Sequence, residues 1–79
     1  MKFKDYKKAL ASLLKENPDN RSYILAREIS VVKLAIKAWG LRLERATSAR
    51  EKAISFSGLG NARRILKHLN VTASKRAVK

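Results

Sequence analysis

Phe3, Tyr6, Leu10, Leu13 and Leu14 recur at spacings of mostly three and four, which places them on one face of a helix over residues 3–16. Lys4, Lys7, Lys8 and Lys15 fall mostly elsewhere around it. Asn17-Pro18-Asp19-Asn20 then stops the helix, because Pro18 disfavours helical geometry in the residue before it and Asp and Asn favour turns. A Lys-rich amphipathic segment of this kind can also lie on an anionic membrane surface, but packing against a core is the reading adopted.

A longer pattern follows. Leu25, Ile29, Val32, Ile36, Trp39, Leu43 and Ala46 alternate spacings of four and three without a break, predicting a helix over 22–46 that Asn20 or Ser22 can cap. The pattern runs straight through Gly40. That glycine costs about 1 kcal/mol against alanine in a helix interior, so either packing of Trp39 and Leu43 outweighs it or it lets another helix approach. A second stripe, Ile24, Val31, Leu34, Ala38 and Leu41, occupies a different side. A helix with two apolar stripes is expected to be covered from two sides, so this is read as the central helix. The Leu25–Leu43 set is assigned to the core or to a dimer seam.

Beyond Thr47 the repeat lapses at Arg50, and Ser48-Ala-Arg-Glu51 has the form of a capping box. A short helix over 49–57 is predicted, with Ala53, Ile54 and Phe56 inward. Ser57-Gly58-Leu59-Gly60 is expected to end it, since glycine readily takes the left-handed geometry of a helix C-cap. Asn61 can cap a last helix over 61–69, with Ala62, Ile65, Leu66 and Leu69 on one face and Arg63, Arg64, Lys67 and His68 on the other. Residues 71–79 read as a basic flexible tail. The expected fold is all-α: one domain over residues 1–70, a small bundle of three to four helices around a long central one.

Composition narrows the function. Seventy-nine residues make one domain with a thin core, and with no cysteine neither a disulfide nor a thiolate-bound metal can staple it. A second copy of the chain, as a homodimer, or the ligand itself is the expected supplement. One histidine and six scattered carboxylates offer little for acid–base or nucleophilic catalysis, so no enzyme, metal or cofactor is expected. No apolar run approaches the ~20 residues a bilayer needs, and a cytoplasmic location without membrane contact is expected.

Charge points to a partner. The formal net charge is +13, and all six carboxylates lie at or before Glu51. Residues 61–79 hold six Lys or Arg and no carboxylate. Self-repulsion on that scale does nothing for folding, so a polyanion is the expected partner. The candidate contacts are Asn61, Arg63, Arg64, Lys67, His68, Lys75, Arg76 and Lys79. Aromatic residues suited to stacking on unpaired bases are scarce, which favours a duplex.

Helix, glycine turn and basic helix between Ser48 and Asn70 resemble the helix-turn-helix arrangement, whose second helix lies in the major groove. Gly58-Leu59-Gly60 is also similar to the glycine loop of helix-hairpin-helix domains, which grip the DNA backbone without reading bases. Each likeness covers only part of the chain and carries no binding residue with it. The N-terminus at Gly60-Asn61-Ala62 would present free N–H groups to a phosphate. The reading is a small DNA-binding protein of regulatory or accessory type, such as a transcription regulator or a phage or plasmid factor. The alternatives are a helical interaction module (inhibitor or adaptor) for an acidic protein, and an RNA- or ribosome-associated protein.

Overall fold

The computed structural model describes residues 2–75, with the backbone alone at Lys75. Its helices are α1 (Phe3–Glu16), α2 (Arg21–Arg45) and α3 (Ala49–Lys75), and a single 3₁₀ turn (Pro18–Asn20) joins α1 to α2. The chain is all-α among the described residues, and α2 is the long central helix. The molecule is a rod of 48 × 19 × 18 Å.

Local chemistry makes the two corners. At the first, the Asn17 side-chain amide donates to the Leu13 carbonyl at 2.9 Å and its backbone N–H donates to the same oxygen at 3.1 Å. The Leu13 carbonyl thus takes its regular helical bond and a second one from the side chain that closes α1. Pro18 opens the 3₁₀ turn, where its missing N–H and fixed φ are no handicap. The turn feeds directly into α2. Asn20 makes no side-chain cap there, and α2 begins at Arg21 rather than at residue 22. At the second corner the capping box forms: the Glu51 N–H donates to Ser48 Oγ at 3.1 Å. The Glu51 carboxylate accepts from the Thr47 N–H at 3.5 Å, one residue earlier than in the standard motif.

α2 and α3 form a long antiparallel hairpin, tied by Arg21 against Thr72 at one end and Trp39 against Gly58 toward the other. α1 lies on the half of this hairpin nearer its open end. Leu10 and Leu14 meet Leu25 and Val32 of α2 and Ala62 and Leu69 of α3 in one core, and Leu69 is wholly buried. Tyr6, Ile29, Ile36, Trp39, Ile65 and Leu66 pack around it, half-buried. The Leu25–Leu43 set is therefore the face that α2 turns toward the core.

Four expectations are corrected. First, residues 57–61 form no turn: α3 is continuous through Gly58 and Gly60, and no glycine has positive φ. Glycine permits left-handed geometry without requiring it. Burial of Leu59, Ala62 and Leu69 outweighs a helical cost of about 1 kcal/mol per glycine. The separate helices over 49–57 and 61–69 are one, and the resemblance to helix-turn-helix or helix-hairpin-helix geometry does not hold. Second, residues 71–75, expected in the flexible tail, continue α3. Third, Ala53, Ile54 and Phe56 face water, while Ser55 and Leu59 turn inward. Fourth, most of the second stripe of α2 is uncovered: Ile24 is half-buried against the core, while Val31, Leu34, Ala38 and Leu41 are all exposed.

Candidate nucleic-acid interface

α3 carries Arg63, Arg64 and Lys67 at offsets of one, three and four, so all three fall in one sector of the helix. That sector points away from α2, and all three side chains are exposed. Their backbone is held rigidly, because the residues between and beside them (Ala62, Ile65, Leu66 and Leu69) pack into the core. The one carboxylate of α3, Glu51, lies about 18 Å along the helix before Arg63, and none follows it.

α1 enlarges the basic surface in a way the sequence did not reveal. The Phe3 ring meets His68 edge-on, with centroids 5.9 Å apart and planes at 88°. Lys7 places its ammonium 5.4 Å from the centre of the Phe3 ring, where the π face attracts a cation. Phe3 thus acts as a hinge-pin between helices, and hollows open on both sides of it. One is lined by Phe3, Arg64, Lys67, His68 and Val71. A second includes Lys2, Phe56, Gly60 and Arg64, and a third includes Lys7, Lys15, Arg21 and His68. Lys2, Lys7, Lys15, Arg21, Arg64 and Lys67 line this α1–α3 groove, and no carboxylate lines any of the three hollows. Periodicity alone places the lysines of α1 mostly off its apolar face and gives them no neighbour. The i, i+4 pair Phe3–Lys7 was the one signal that could have placed them here.

The remaining candidates separate. Asn61 is half-buried in mid-helix, so the helix N-terminus expected at Gly60-Asn61-Ala62 does not exist and offers no free N–H groups. His68 is half-buried against Phe3 and belongs to the wall of the groove. Lys75 continues α3 by its backbone; its side chain, Arg76 and Lys79 lie outside the described residues.

Phe56 is the aromatic that the sequence reading misplaced. It is 69% exposed and stands one and two turns before Gly60, Arg63 and Arg64, on the same side as the cations. An exposed ring beside a bare glycine and a basic row is a surface for a sugar or a base face.

Tyr6 fixes α1 to α2 behind this surface. Its hydroxyl donates to Glu28 Oε1 at 2.6 Å, a short bond to a charged acceptor. Burial, and then the Glu28 carboxylate, pushes the Tyr6 hydroxyl well above the ordinary tyrosine range. Among the described residues no group of His, Asp and Glu is arranged to hold a metal ion, and no helix is long and apolar enough to cross a membrane.

The arrangement can make several charge-assisted contacts to phosphate oxygens along one edge, from two helices locked together. It lacks the exposed helix tip that base reading through a helix-turn-helix uses. Comparison with protein-family models, with curated proteins and with solved structures found no match.

Proposed function

We propose that the chain binds nucleic acid, duplex DNA first, through the phosphate backbone, in an accessory or regulatory role without catalysis. The observation that carries this reading is the carboxylate-free groove and ridge built by Lys2, just before α1, and Lys7 of α1 with Arg63, Arg64 and Lys67 of α3. Such a surface neutralises phosphates and releases their counterions, which supplies affinity with little dependence on sequence. Arg63 to Lys67 span about 6 Å of α3 at 1.5 Å per residue, so the row meets a few neighbouring phosphates, and Lys2 and Lys7 lengthen the contact across the groove. Contact through the backbone replaces the major-groove reading that a glycine turn would have implied.

The test is a chemical-shift map of the full chain titrated with a mixed-sequence duplex. Amide shifts should cluster on residues 2–7 and 60–68. Shifts confined to α2, or none, would remove the assignment.

Phe56 carries a second reading, in which the ligand is unpaired. An exposed ring can stack on a base and contributes about 1–3 kcal/mol per base where it does. Phe56→Ala separates the two. Loss of single-strand affinity by tenfold or more with duplex affinity unchanged favours the unpaired ligand, while equal, small losses favour the duplex.

A further inference from the structure

The nucleic-acid reading leaves the opposite side of the molecule unused. Tyr23, Val31, Leu34, Ala38 and Leu41 run along α2 on the side turned away from its Leu25–Leu43 face, and all five are exposed, Tyr23 at 67% and Leu34 at 69%. The row is about 27 Å long at 1.5 Å per residue. At its start it enters a hollow lined by Leu13 of α1 with Tyr23, Ile24 and Val31, and also by Arg27 and Glu28. An isolated apolar side chain in water signifies nothing, but Val31, Leu34, Ala38 and Leu41 follow one another at successive turns over about 15 Å and mark a contact surface.

Charge selects the occupant. At 3.6 residues per turn, Arg27 and Arg45 fall on the line of the row, and Lys37 and Arg42 fall on its two borders. Arg42 is held in place by stacking on Trp39, 4.8 Å from the ring centre. Two carboxylates approach the row. Glu28 lies in the hollow at its start, where it accepts from the Tyr6 hydroxyl, and Glu51 of α3 lies beside Ala38, Leu41, Arg42 and Arg45 at its end. Glu44 lies further round, and the four cations outnumber them. A second copy would bring these four cations against their own equivalents on a chain that already carries +13, and like charges facing one another across an interface are strongly disfavoured. A helix with an apolar ridge between rows of Asp or Glu satisfies both the stripe and its borders.

We propose that the outward face of α2 docks an acidic amphipathic helix of a partner protein. The site is independent of the basic groove and faces away from it, so both can be occupied together.

The probe is a synthetic peptide of about five helical turns, leucine on one face and glutamate on the other, titrated into the isotope-labelled full chain. Two controls accompany it: the same composition scrambled to destroy the apolar face, and the same apolar face with lysine for glutamate. Shifts should map to residues 23–45, and both controls should bind at least about tenfold more weakly. Leu34→Ser, and separately Arg27→Glu with Arg45→Glu, should each weaken binding about tenfold with helicity unchanged, since these side chains are exposed. The proposal is overturned by equal binding of a control, by shifts confined to the α1–α3 groove, or by no binding of the acidic peptide. A concentration-dependent dimer abolished by Leu34→Ser would place a second copy on this face and overturn it equally.

Discussion

The Trp39 indole is seated against the bare Cα of Gly58: a methyl group there would fall 2.5 Å from ring carbon Cε2 and 2.6 Å from Cδ2 and Cζ2. Gly40 and Gly60 differ, since a Cβ at either meets nothing within 4 Å. The three glycines of one chain therefore answer the same substitution with opposite signs. Gly40→Ala and Gly60→Ala should each stabilise the fold by about 0.5–1 kcal/mol through helix propensity. Gly58→Ala should destabilise it by about 1 kcal/mol or more, because overpacking against Trp39 exceeds the propensity gain. Chemical denaturation of the three variants measures this, and a stabilised Gly58→Ala would show that the indole moves aside freely.

Tyr6 and Glu28 give an alkaline signature. The folded-state hydroxyl is raised by burial first and by Glu28 second, so the folded chain keeps its proton at pH values where the unfolded chain has lost it. The stability this provides is complete below the ordinary tyrosine value near pH 10 and is lost as pH rises above it. Tyr6→Phe should cost about 1 kcal/mol near neutrality by leaving Glu28 without its donor. It should also flatten the decline of stability above about pH 10. Thermal melts of both chains across that range test this, and parallel curves would contradict it.

Ser48 fixes where α3 begins. Ser48→Ala removes the acceptor of the Glu51 N–H and should cost about 1 kcal/mol. Hydrogen exchange should rise in the first turn of α3 and stay unchanged around Gly58 and Gly60. Rapid exchange at residues 57–61 in the native chain would instead restore the break that their composition suggested.

Much of the architecture was legible because it rests on local rules. The spacing of Phe3 to Leu14, the Asn17-Pro18 stop and the Ser48–Glu51 cap each act within a few residues. The continuity of α3 was not legible, because Gly58 and Gly60 take helical geometry only when Leu59 and Ala62 find α2 beneath them. Periodicity also found two stripes on α2 but could not tell which one the molecule covers; α1 and α3 both pack against its Leu25–Leu43 side. Arg63, Arg64 and Lys67 followed from charge and helix phase alone. Lys2 and Lys7 did not, since their place beside α3 depends on Phe3 meeting His68, a tertiary contact.

The central claim is that the cations of α1 and α3 act together on phosphates. Fluorescence anisotropy of a labelled mixed-sequence duplex across a salt series tests it most directly, with the native chain beside Arg63→Ala/Arg64→Ala. The logarithm of affinity should fall linearly with that of salt, by about 0.9 per phosphate neutralised. The double variant should bind more weakly at every salt concentration and show a slope shallower by about two. Affinity indifferent to salt, or a double variant with the native slope, would contradict the claim.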